Sequence, residues 1–217
     1  MIDKCVLLDM NGTIRNDLHV VYRSMSEVFE RFGKRPPALD EYRRTHNVHY
    51  WDLYRKHGFL DSEKPAADAI FSDLFFRKYA HLARPFPDAV GTVLEISARG
   101  IPVGIVSNLE RNVLGMYMEQ YGLSGFVSVS VCREDVGEVK PSPASILFAF
   151  EKLGIPPEHG SYTGDQSQDV IAAHAARTTA IAVSRRGSYH TRRMLEEAKP
   201  DIIITRLSDL LLVDRSA

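Results

Sequence analysis

Six short apolar runs rich in Val, Ile, Leu and Ala recur along the chain: CVLLD from Cys5, IPVGIVSN from Ile101, FVSVSVC from Phe126, SYTGD from Ser161, TAIAV from Thr179 and DIIIT from Asp201. Runs of this length, bounded by turn-forming and polar residues, read as buried strands rather than helices. Between them, residues 88–99, 111–121, 142–153 and 167–177 carry apolar side chains at helical spacing, and Gly100, Gly122 and Gly154 follow three of these segments as stop signals. Strands that alternate with crossover helices predict an α/β fold with a doubly wound, mostly parallel sheet.

The stretch from Leu18 to Ala83 breaks the alternation. It holds helical patterns and many aromatics, among them Tyr22, Phe29, Phe32, Trp51, Tyr54 and Phe75, but no convincing strand. Asn16-Asp17 on one side and Arg84-Pro85-Phe86-Pro87 on the other are turn signals. The expected organisation is therefore a core formed by 1–15 and 85–217, with 16–84 as a small inserted α-helical unit. A length of 217 residues with 44% hydrophobic residues is enough for one core and such an appendage. The 27 Lys and Arg nearly balance the 28 Asp and Glu, so no global field attracts nucleic acid or an anionic membrane. Cys5 and Cys132, the two cysteines, have no disulfide or zinc spacing and sit in apolar strands, which makes them packing residues and a cytoplasmic, reducing location the default. No apolar run reaches the roughly 18 residues of a membrane span, and a soluble, unprocessed protein is expected.

Open parallel sheets bind ligands beyond the carboxyl ends of their strands. The first strand ends in Asp9-Met10-Asn11-Gly12-Thr13, the second in Ser107-Asn108 and the fourth in Gly164-Asp165-Gln166-Ser167-Gln168-Asp169, while Lys140-Pro141 opens the helix before the fourth. Two carboxylate clusters are suited to a hard divalent cation, a hydroxyl and an ammonium to anionic oxygens, and a carboxylate to attack on phosphorus.

The order D-x-N-G-T, Ser-Asn, Lys-Pro, G-D-x-x-x-D resembles the four motifs of the haloacid dehalogenase superfamily, and the resemblance spans essentially the whole core. It implies a Rossmann-like core, a helical cap in the position of the inserted unit, and a hydrolase acting on a small phosphorylated metabolite. By the same resemblance Asp9 is the nucleophile that becomes an aspartyl phosphate, and Ser107 and Lys140 bind the transferring phosphoryl group. Mg²⁺ is then held by Asp9, the Asn11 carbonyl, Asp165 and Asp169. Gly12 permits close backbone approach and Thr13 fixes the loop by hydrogen bonds, and with Asn108 they are expected on the substrate side.

One position departs from the pattern. Phosphatases of this superfamily carry an aspartate two residues after the nucleophile as general acid and base, and here that residue is Asn11. An amide cannot shuttle a proton, and such help is typically worth ~10²–10⁴-fold. Three readings follow: a substrate with a good leaving group such as an acyl phosphate or phosphoanhydride, a proton donor from the cap, or a phospho-ligand-binding protein with little turnover, including a substitution introduced to trap a complex. In the segment Arg43 to Trp51, His46 and His49 are the first candidates for a cap donor and for substrate contact. Haloacid cleavage usually goes with a bulky aromatic at position 11. Phosphonate cleavage needs a Schiff-base lysine, for which Lys56 is the candidate, although a surface lysine is the commoner role. The basic run Arg185 to Arg193 is placed to touch an anionic leaving group, but a solvated helix face is the commoner role of such a run.

Overall fold

The computed structural model describes residues 4–45 and 50–212, which form two compact units, one of residues 1–15 and 85–217 and one of residues 16–84. The smaller unit is helical: α1 (Leu18–Arg31), α2 (Leu39–Thr45), α3 (Tyr50–Lys56) and α4 (Lys64–Asp73), the last continuing into a wider π-type turn at Leu74–Tyr79. Leu18, Met25, Val28 and Phe29 fall on one face of α1 and are buried. Phe29 is the centre of the unit's core, its ring 4.7 Å from that of Tyr54 and 4.8 Å from that of Phe59. Trp51 stacks on Tyr54 at 5.0 Å, and its indole N–H donates to Asp61 Oδ1 at 2.7 Å, so the one polar atom of this large side chain is satisfied.

The larger unit contains a six-stranded sheet of β1 (Cys5–Leu8), β2 (Val103–Val106), β3 (Val129–Val131), β4 (Gly160–Gly164), β5 (Thr179–Val183) and β6 (Ile202–Ile204). Their spatial order is β3-β2-β1-β4-β5-β6, every pair parallel. All four residues of β1 are buried, because the period of two along a central strand sends alternate side chains to two covered faces. Val6 and Leu8 join α5 (Ala89–Ala98) and α6 (Arg111–Gln120) on one face. On the other face Cys5 and Leu7 meet α8 (Ala144–Leu153) and α9 (Ser167–Ala175). The one-turn helix α7 (Arg133–Val136) follows β3, and α10 (Arg192–Glu197) packs Leu195 against the second face.

The architecture is thus the doubly wound α/β fold expected from the alternation, and both cysteines are buried packing residues. No helix among the described residues is long and apolar enough to cross a membrane. Because β2 lies on one side of β1 and β4 on the other, the strand order reverses at β1, and a crevice opens beyond the carboxyl ends of these three strands.

Candidate active site

Asp9 follows β1 directly, and its backbone N–H donates to Thr163 O at 2.9 Å, extending the ladder to β4 by one step. The chain then turns back at once: Ile14 and Arg15 N–H both donate to Met10 O, and Gly12 N–H donates to Arg15 O at 2.7 Å. Gly12 adopts a φ of +77°, and a Cβ built there would lie 2.1 Å from Asp165 Oδ2. Only glycine fits both the backbone conformation and the space. Gly164 ends β4 under the steric part of that constraint alone, since its Cβ would fall 2.3 Å from the Asp169 carboxyl. The two glycines hold backbone against carboxylates that belong to different segments.

Lys140 is the cation of the site. Its Nζ donates to Asp9 Oδ1 at 2.8 Å, Asp169 Oδ1 at 2.7 Å and Tyr162 OH at 2.6 Å, and Lys140, Asp9 and Asp169 are at most 4% exposed. The residue lies upstream of α8, which begins at Ala144, so it occupies the turn before the helix rather than the helix start expected from Lys-Pro. The Lys140-Pro141 peptide is cis. Asn108 Oδ1 accepts from the Lys140 N–H at 3.1 Å, which makes Asn108 the residue that seats this turn. Ser107 directly follows β2 in a buried position, its N–H donating to Val131 O at 3.0 Å.

Asp169 is in the first turn of α9, where its Oδ2 accepts from the Gln166 N–H at 3.0 Å while Oδ1 faces Lys140. One carboxyl group therefore serves both as helix cap and as acceptor for Lys140. Asp165, fully buried, accepts at Oδ2 from the Tyr189 N–H. Carboxylate oxygens of Asp9, Asp165 and Asp169 all lie within 4.8 Å of one another. Three carboxylates against the one ammonium of Lys140 leave two negative charges in a buried space. Burial pushes the Asp9 carboxyl up to about 6, against the pull of Lys140. Burial disfavours the charge on Lys140 too, but Asp169 and Asp9 outweigh it and hold the ammonium above its ordinary range. Hard oxygen donors, a two-charge excess and the glycine cradle fit a divalent cation of the magnesium type.

The structure thus brings Asp9, Lys140, Asp165 and Asp169 together, with Gly12 against Asp165, and Ser107 and Asn108 at the neighbouring strand end. Asn11 lies in the turn after Asp9, and its buried Oδ1 has no hydrogen-bond partner among the described residues. Thr13 also differs from expectation: its hydroxyl makes no hydrogen bond among the described residues, and it is the carbonyl that is held, by the Arg185 guanidinium. His46 and His49 lie outside the described residues. In the helical unit, Tyr50 lines a cavity of about 350 Å³ with Tyr42, Tyr54, Phe71 and Asp68. Trp51 is buried core, and Lys56 is a surface lysine paired with Glu41 at 2.5 Å.

Two contributors were not foreseen. Tyr162 OH accepts from Lys140 and lies 3.1 Å from Val106 O; the signal was a phenol in a strand expected to be buried, whose hydroxyl must then find a partner. Arg185 is the other. Its guanidinium lies 3.5 Å from the centre of the Phe86 ring and donates to Asp88 Oδ1 at 2.9 Å, although the run that contains it reads as a solvated face.

Comparison with known proteins agrees with this geometry. A family model described as haloacid dehalogenase-like hydrolase matches residues 6–183. A protein of Oceanobacillus iheyensis named pyrophosphatase PpaX is 27% identical over 97% of this chain and 96% of its own length. Phosphoglycolate phosphatase 1 of Pseudomonas aeruginosa is 26% identical over 96% of this chain and 78% of its own. Among solved structures, a protein of Haemophilus somnus named as a predicted phosphoglycolate phosphatase superposes with a TM-score of 0.84 at 18% identity, covering 98% of each chain.

Proposed function

Because the chain belongs to the haloacid dehalogenase-like hydrolases and is a phosphatase of that superfamily, we propose that it hydrolyses a small phosphorylated metabolite through an aspartyl phosphate on Asp9, with Mg²⁺ as cofactor. The observation that carries this reading is the convergence of Asp9, Lys140, Asp165 and Asp169 at the strand ends on either side of the switch point. Asp9, Asp165 and Asp169 would hold the cation, together with the Asn11 carbonyl implied by the family pattern. A bound Mg²⁺ supplies charge neutralisation for the phosphoryl oxygens.

Asp9 uses its carboxylate oxygen to attack phosphorus as the bond to the leaving oxygen breaks. Lys140 and Ser107 face the equatorial oxygens of the transferring group. Water then attacks phosphorus, phosphate leaves, and the Asp9 carboxylate is regenerated. Neither step gives Asn11 a proton to transfer. A leaving group that departs without protonation suits this site, which favours phosphoanhydrides and acyl phosphates over alkyl phosphates. The relative named a pyrophosphatase is consistent with that preference. The cap lysine that phosphonate cleavage requires has no support, since Lys56 is taken up by Glu41 on the surface.

The test is phosphate release in Mg²⁺ from pyrophosphate, acetyl phosphate, p-nitrophenyl phosphate and phosphoglycolate, by this protein beside its Asn11→Asp variant. The native chain should turn over the activated substrates, and the aspartate should extend activity to phosphoglycolate by ~10²-fold or more. Turnover confined to the variant would identify the native chain as a phospho-ligand-binding protein. Silence from both on every substrate would remove the phosphohydrolase reading.

A further inference from the structure

The segment between β5 and α10 carries no family motif, yet it contacts Asp165 and the turn that follows it at several points. Tyr189 N–H donates to Asp165 Oδ2, and His190 N–H to Asp165 O at 3.3 Å. The His190 ring reaches the other end of the same turn, where Nδ1 accepts from the Ser167 N–H at 2.9 Å. Ser167 is the first residue of α9, and its N–H is one of the donors that a helix start leaves without an intrahelical partner. Ser167 Oγ lies 2.9 Å from the same Nδ1 and 3.1 Å from Met194 O, which ties the same turn to α10.

His190 therefore bridges Asp165 and Ser167, the two ends of the turn that sets how far the Asp165 carboxylate stands from that of Asp169. Asp169 fixes the turn from within, through the Gln166 N–H. His190 fixes it from outside, and the residue is only 9% exposed, so water does not readily replace it.

We propose that His190 is a positioning residue for the divalent-cation site, holding the 165–167 turn so that the carboxylates of Asp165 and Asp169 converge on one ion. The inference rests on the metal reading of the preceding section. It assigns His190 a task beyond capping α9: loss of the Nδ1 acceptor loosens the cation site more than it loosens the fold. Groups that orient metal ligands from outside typically contribute ~10–100-fold to metal affinity.

The test is Mg²⁺ titration by calorimetry on the full chain and on His190→Asn, His190→Gln and His190→Leu, with metal-free melting temperatures alongside. Asparagine places its Oδ1 the same number of bonds from Cβ as Nδ1, whereas glutamine displaces its acceptor by one bond and leucine has none. Asn should bind Mg²⁺ within about 3-fold of the native protein, and Gln and Leu ~10-fold or more weakly. Leu binding Mg²⁺ like the native chain while melting earlier would reduce His190 to a helix cap and overturn the proposal. If Leu does not fold, the Asn and Gln pair decides, and equal affinities overturn it. A native chain that takes no Mg²⁺ removes the metal reading itself, an outcome distinct from native binding that the variants leave unchanged.

Discussion

An ammonium has three N–H donors, and Lys140 spends all three inside the site, on Asp9, Asp169 and Tyr162. A substrate oxygen reaches this cation only as one of those bonds is released. The bond to Asp9 is the natural one, since that carboxylate turns to phosphorus in the reaction we propose. In that proposed reaction Lys140 is first a counter-charge for crowded carboxylates and second a phosphate ligand. Gly12 is the residue on which the crowding depends most directly. Gly12→Ala puts a methyl group into the space of the Asp165 carboxylate and asks alanine for a positive φ, which costs ~1–2 kcal/mol before any collision. We expect that variant to lose phosphate release and Mg²⁺ binding, with a melting temperature lowered by several degrees. Gly91→Ala is the matched control: it lies within α5 with open space around its Cβ position, and should stabilise by roughly 0.5–1 kcal/mol with activity intact. Parallel melts and phosphate assays on the two variants check both expectations.

At the level of elements, Glu27 on α1 gathers Lys78 at 2.7 Å and Tyr79 at 2.5 Å from the π-type turn, and Arg31 from its own helix at 2.8 Å. Hydrogen bonds from Lys78 and Tyr79 pull its carboxyl down to about 2 from an ordinary 4.5. A depressed carboxyl stabilises the fold above its unfolded value and loses that contribution as pH falls through the folded one. The window is therefore pH 4.5 down to about 2. Since Lys78 is half exposed, the contribution is roughly 1 kcal/mol or less. Glu27→Gln should melt lower than the native chain at pH 7, and the gap should close as both are taken through that window.

Elements were also where the sequence was most legible. Five of the six strands of the sheet fall within the apolar runs and β4 begins one residue before its run, while the four long core helices lie within two residues of the segments marked by apolar spacing, because burial on both faces of a sheet leaves an unmistakable local pattern. The acidic cluster was legible for the same reason, since strand ends and helix starts are local features. What escaped is non-local. Arg185 looks like any surface arginine until Thr13 and Asp88, 172 and 97 positions away, are brought to its guanidinium. The partner of Tyr162, the seat that Asn108 gives Lys140 and the reach of His190 to Ser167 share that character. Periodicity carries no record of such pairings.

Across the whole molecule, 27 basic and 28 acidic side chains cancel almost completely. A phosphorylated substrate, itself anionic, meets no long-range field that would draw it in. Capture must rest on groups within the site, at distances shorter than the Debye length of ~8–10 Å that prevails near physiological salt. Ion pairs buried as deeply as Lys140 with Asp9 and Asp169 are little affected by added electrolyte. Steered association, by contrast, falls steeply with ionic strength. With Mg²⁺ kept saturating, kcat/KM for an activated phosphate should therefore change by less than about 3-fold between 50 and 300 mM KCl. Steady-state rates across that range decide the matter. A steep fall would mean that local positive potential near the site contributes to capture, with the basic residues from Arg185 to Arg193 the first group to neutralise, whereas a flat profile leaves recognition to contacts made after the substrate arrives.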